Sequence, residues 1–152
     1  MSWPANPHRD GSGNVIPHDD PQMIPAGSHL IRHVLKIHAV PDQNNGGKLR
    51  AASAAFAFST DGSRSMSSDA WEPMAALGLA EDHYARPLGK GAARFPADAA
   101  RKEAFRVGTE PISGNDHHCG VWQSNPALGT NQTDKALRRL SRASVLVVGP
   151  PP

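Results

Sequence analysis

"SHLIRHVLKIHAV", residues 28–40, decides the fold class. Leu30, Arg32, Val34, Lys36 and His38 alternate with Ile31, His33, Leu35 and Ile37. A period of two with several β-branched residues is the pattern of a strand. The spacing predicts a strand with Ile31, Leu35 and Ile37 on one face and His33 among them. A helix is the rival, because the alternation is imperfect. Pro41 and "DQNNGG" (42–47) end the element, since Asn and Gly accept positive φ in turns.

Downstream, "AASAAFAFSTDG" (51–62) predicts a strand near 53–59, with Phe56 and Phe58 on one face and "TDG" as a turn. "SMSSDAWEPMAALG" (65–78) predicts a helix start. Asp69 would cap it, Glu72 would complete a capping box, Pro73 is tolerated in the first turn, and Gly78 stops it. Residues 79–95 are mixed and punctuated by Pro87, Gly89 and Gly91. "PADAARKEAF" (96–105) predicts a helix with Pro at its first position. "HHCGVWQ" (117–123) predicts a strand after a Gly-Asn-Asp turn, and "TDKALRRLSRAS" (133–144) a helix capped by Thr133. In that helix Leu137 and Leu140 would face inward, and Lys135, Arg138, Arg139 and Arg142 outward. "VLVVG" (145–149) reads as a buried strand, so the chain could end in a right-handed crossover if its last two strands were parallel.

The sum is a mixed α+β fold, with a small sheet of about four to five strands and about three helices in one domain over 28–150. Residues 1–27 hold Pro4, Pro7, Pro17, Pro21 and Pro25, which disfavour both helix and central strand. They are expected to form a flexible N-terminal arm, with Trp3 and Ile16 as possible anchors on a partner.

The chain has 152 residues, enough for one real core. Hydrophobic residues are 38% and aromatics 5%, with 14 Gly and 14 Pro, so much irregular chain around a modest core is expected. A formal net charge of +2 gives little pull on a phosphate backbone, and nucleic acid is not an expected partner. With eight histidines, affinity for a partner could depend on pH, because imidazole titrates near neutrality. The single cysteine cannot form an internal disulfide, and the N-terminus lacks a basic start followed by an apolar run. Both features fit a cytoplasmic location. No stretch approaches 18 consecutive apolar residues, so no membrane span is expected.

Three chemistries compete for the polar residues. "GNDHHCGVW" (114–122) places His117 and Cys119 on one face of a strand and His118 on the other. Zinc needs three or four converging ligands, so His117 and Cys119 require a third, such as His33, His38 or Asp116. No C-x-x-C or H-E-x-x-H is present, and no cofactor is expected apart from zinc in this alternative. Acid–base catalysis is the second chemistry, with His118 as base or acid, Asp116 or Asp69 as orienter and Ser53 or Ser59 as hydroxyl. G-x-S-x-G is absent, and "GKGAARF" (89–95) lacks the phosphate-loop order. Cys119 as nucleophile has little support, because no helix N-terminus or fixed cation is predicted beside it.

The third chemistry comes from a resemblance. Arg32 on an early strand, followed by the Ser-bearing "FAFST" (56–60), resembles the start of NAD-consuming ADP-ribosyltransferase-like folds. The resemblance covers a few residues and implies a nucleotide-type substrate and a catalytic Glu, for which Glu110 is the nearest residue. The plainer alternative pairs Arg32 with Asp42 or Asp69.

"SAAF" (53–56), "MSSD" (66–69) and "HCGV" (118–121) also resemble segments of short bacterial proteins without an assigned activity. That resemblance runs from Leu30 to Val148 and implies a standalone small bacterial domain. If those segments meet in space, Arg32, Ser53, Asp69 and His118 form one polar cluster. The leading expectation is a small accessory protein that acts through a protein partner. The alternatives are a His/Arg-dependent enzyme on a nucleotide-type substrate, ADP-ribosyltransferase-like or acid–base hydrolytic, and a metal-binding protein.

Overall fold

The computed structural model describes residues 9–60 and 64–152. Among the described residues, eight strands and three helices follow one another as β1 (His29–Val34), β2 (Ala39–Pro41), β3 (Leu49–Ala51), β4 (Ser65–Ala70), α1 (Trp71–Ala76), β5 (Gly91–Pro96), α2 (Ala97–Lys102), β6 (Arg106–Thr109), β7 (His118–Trp122), α3 (Thr130–Ala143) and β8 (Val145–Val148). Six strands form one antiparallel sheet in the order β6-β7-β4-β1-β5-β8, and β2 and β3 form a separate hairpin. The class is α+β as expected, and the strands outnumber the four or five expected.

One face of the sheet carries the main core. Leu30 and Val34 of β1 join Met66, Phe95, Val107 and Val121 there, under Leu137 and Leu140 of α3. Phe56 meets Phe95 edge-on at 5.5 Å, and Phe58 meets Phe105 at 5.2 Å. Each such pair adds about 0.5–1.5 kcal/mol to simple burial. The opposite face presents Ile31, His33 and Asp69, because neighbouring residues in a strand point to opposite sides.

Several elements differ from the sequence expectation, each for a local reason. The strand expected over 28–40 ends at Val34, where a 3-10 turn (Lys36–His38) breaks it. Extended chain resumes at β2, but in the other sheet, so Leu35 and Ile37 stand 44% and 78% exposed rather than facing a core. The strand expected near 53–59 is a 3-10 turn over Ser53–Phe56 followed by irregular chain; the turn expected at 61–62 lies outside the described residues. Asp69 caps no helix: it is buried in β4, and α1 begins after Ala70 without a side-chain cap. Glu72 accepts instead from the His29 backbone N–H and imidazole. Gly129, not Thr133, precedes the last helix. β8 is an edge strand with Val145 58% exposed; four antiparallel steps separate it from β7, so the last two strands run parallel in one sheet and α3 makes the crossover between them, past β4, β1 and β5.

β5 had no sequence signal, since "GAARFP" is poor in branched residues, yet it pairs with β1 over six residues. Its small residues allow close approach. A Cβ on Gly91 would stand 2.6 Å from the Pro150 nitrogen.

Residues 9–27, expected as part of a flexible arm, contain no helix or strand beyond an isolated bridge between Arg9 and Val15. They nevertheless lie against the sheet. The Asp20 N–H donates to the Val107 carbonyl at 2.8 Å, and the Asp19 carboxylate accepts from the Val107 N–H at 2.9 Å and from Arg101 at 3.0 Å. Ile24 is buried, and the His18 ring packs against Trp122 at 5.2 Å. Gly108 makes that packing possible: a Cβ there would stand 2.8 Å from the His18 carbonyl oxygen. Trp3 lies outside the described residues.

Candidate functional site

β1 and β4 pair only at Leu30–Ala70 and Ile31–Asp69. The two strands then part, and the Arg32 side chain spans the gap. Its Nε donates to the Ala55 carbonyl at 2.7 Å and its Nη1 to the Ser67 carbonyl at 2.6 Å. A cavity of about 510 Å3 opens at this parting, within the range of small-molecule sites. Its polar lining includes Arg32, His33, His38, Ser68, Asp69, Asn115 and His118, with Tyr84 and Lys90 beside them. The exposed Leu35, Leu88 and Ile112 supply an apolar part.

Asp69 organises the site. It is 1% exposed, and its Oδ2 lies 2.9 Å from His33 Nε2 while its Oδ1 accepts from Asn115 Nδ2 at 2.7 Å. A carboxylate only accepts, so His33 Nε2 carries the proton and Nδ1 is left as an acceptor. Nδ1 has no partner among the described residues. Asn115 is fixed in turn, since its Oδ1 accepts from the His117 N–H at 2.9 Å.

His118 has a fixed tautomer too. Its Nδ1 lies 2.9 Å from the Glu110 carbonyl oxygen, which can only accept, so Nε2 is the nitrogen left for other work. Asp69 and His118 are direct cross-strand neighbours and share a face. Burial pushes the Arg32 guanidinium down to about 10, and the Asp69 charge opposes part of that shift. Arg32 therefore stays charged at neutral pH, next to a carboxylate that balances it. The Ser68 hydroxyl is buried, lines the cavity and has no hydrogen-bond partner among the described residues.

The structure brings Arg32, Asp69 and His118 to one cavity and leaves Ser53 out. Ser53 lines a separate groove beside α3. The three residues of the metal alternative lie in three environments. His33 is on Asp69. His117 Nδ1 is 2.9 Å from the Tyr84 hydroxyl. Cys119 is buried in the main core, its Sγ donating to the His117 carbonyl at 3.4 Å. Burial pushes the Cys119 thiol well above its ordinary value, and the Asp69 and Glu110 charges push the same way. Burial, then Asp69 and Asp116, also raises the Tyr84 phenol. Among the described residues no group of three or more His, Cys, Asp or Glu is placed to hold a metal.

"FAFST" is not a strand; the Ser-bearing strand beside Arg32 is β4, "SMSSDA". Glu110 does not line the cavity, where Asp69 is the sole carboxylate among the described residues. Sequence reasoning missed Asn115, Tyr84 and Lys90, and it weighed His33 only as a metal ligand. His33 and Asp69 are 36 positions apart, and only the β1–β4 register joins them.

Among the described residues no helix is long and apolar enough to cross a membrane. The chain matches no family model, no curated protein and no solved structure.

Proposed function

We propose that the cavity between β1 and β4 is the active site of a small acid–base hydrolase acting on a phosphorylated, nucleotide-type substrate. The observation that carries this reading is the His33–Asp69 pair: a buried carboxylate holds one imidazole nitrogen protonated and leaves the other as a base with no partner among the described residues. His33 Nδ1 takes a proton from water as the water oxygen bonds to phosphorus. His118 Nε2, in its protonated form, gives a proton to the leaving oxygen as the old P–O bond breaks. Arg32 and Lys90 balance the charge of the phosphoryl group. Asp69 and Asn115 are positioning residues.

The test is turnover of bis(p-nitrophenyl) phosphate and a panel of nucleoside mono- and triphosphates. Turnover should be bell-shaped in pH and fall about 10²–10⁴-fold in His33→Ala and His118→Ala. Turnover that survives His33→Ala, or no turnover of any compound tested, overturns the hydrolase.

A second reading, a module that acts through a protein partner, is favoured by Leu88 and Ile37, 60% and 78% exposed, with Leu88 at the cavity. It expects a stoichiometric protein that co-purifies with the tagged chain and is lost on Ile37→Asp or Leu88→Asp. Co-purification unchanged by both variants removes this reading.

A further inference from the structure

A second recess adjoins the cavity. It holds about 580 Å3 and is lined by the hairpin segment 41–44, by Arg50 and Ser53, and by Arg138 and Arg142 of α3. Arg138 and Arg142 are four residues apart, so two like charges share one helix face at a cost to the helix. No ion pair among the described residues engages Arg50, Arg138 or Arg142. Arg139 shows the contrast, being held by both oxygens of Glu103 at 2.7 and 2.6 Å. Asp42, the one carboxylate lining the recess among the described residues, is engaged with the Asn44 N–H at 3.1 Å. Arg50 is steered by the Ser141 hydroxyl at 3.4 Å. Three guanidinium forks against one carboxylate suit a compact polyanion, and the fork geometry matches phosphate oxygens.

The recess and the cavity share a wall. Ser53 lines the recess, while Ala54 and Ala55 line the cavity, and the Ala55 carbonyl holds Arg32. At about 2 Å per residue in a 3-10 turn, Ser53 and Ala55 are about 4 Å apart along the axis. That turn is therefore the divider between the recess and the cavity.

We infer that the substrate is a nucleotide bearing a polyphosphate chain, whose distal phosphates lie on Arg50, Arg138 and Arg142 while the bond to be cut lies in the cavity. The inference rests on the cavity being the active site, but the recess is testable without activity. Sodium tripolyphosphate should bind the full chain by calorimetry at low salt. The Arg138→Ala/Arg142→Ala double variant should bind it at least tenfold more weakly, and His33→Ala should bind it as the wild type does. Both arginines are exposed, so folding should survive, and circular dichroism checks it. Adenosine triphosphate should lose affinity in the same double variant. Tripolyphosphate that fails to bind, or binds the double variant equally, overturns the inference. So does a ten-residue oligothymidylate that binds tighter than tripolyphosphate through the same arginines, which would give the groove to a nucleic-acid strand. Failure of the hydrolase alone would leave tripolyphosphate binding intact.

Discussion

Asp69→Asn keeps the volume at the cavity and removes one charge. Two hydrogen bonds change character, those from His33 and Asn115. A bond to a charged group contributes about 1.5–3 kcal/mol and a neutral one about 0.5–1.5, so the two together lose about 2 kcal/mol. Arg32 loses its neighbouring counter-charge as well, which brings the expected total to about 3 kcal/mol. For a chain of this size that lowers Tm by roughly 6–12 °C. A second effect is independent of stability. The new amide oxygen still accepts from Asn115, so its NH2 faces His33 Nε2, which must then accept. The imidazole proton moves to Nδ1 and fills the position assigned to the base. Urea unfolding measures the first effect, and ¹⁵N shifts of the His33 ring measure the second. A variant whose His33 keeps its proton on Nε2, or whose stability falls by less than about 0.5 kcal/mol, refutes the role given to Asp69.

Other outcomes follow from the same structure. Cys119 in the folded protein should resist a disulfide reagent at pH 8 and react only at the rate of unfolding; rapid native labelling would contradict its burial. Gly108→Ala should cost about 1–3 kcal/mol by overpacking against His18 and expose residues 9–27 to protease; unchanged cleavage there would count against the packed segment. The hydrogen bond from Arg86 holds the Asp82 carboxyl below its ordinary value. Its contribution to stability is therefore complete above the unfolded value of 3.8 and lost as pH falls through the lower folded value. Asp82→Asn should be less stable than wild type at pH 6 and equal to it near pH 2, by urea titration at both pH values.

Parts of this architecture were legible in the sequence because they depend on local pattern. The strand at 118–122 and the helix at 130–143 show their periods directly, and the class followed from them. The longest alternation, 28–40, misled because it concatenates two short strands of different sheets across a turn. The D-x-x-E at 69–72 misled because each carboxylate finds a partner far away in sequence, Asp69 at His33 and Glu72 at His29. Capping is a default for such residues, and tertiary partners displaced it. β5 left no trace because alanine and glycine carry no strand signal, and its position between β1 and β8 is set by pairing alone. The cavity depends on where β1 and β4 part, a property of register that no single segment encodes.

Asp19 and Asp20 occupy the groups of Val107 that would otherwise face outward from β6. A bare sheet edge is a template for another chain, and an apolar one invites fibre-like stacking. Here two acidic residues act as gatekeepers: the Asp20 N–H and the Asp19 carboxylate consume the pairing groups of Val107. A chain trimmed to begin at residue 28 should therefore self-associate as its concentration rises, whereas the full chain should not, a difference that light scattering would register. The stretch before β1 thus closes the β6 edge through the hydrogen bonds of Asp19 and Asp20 to Val107.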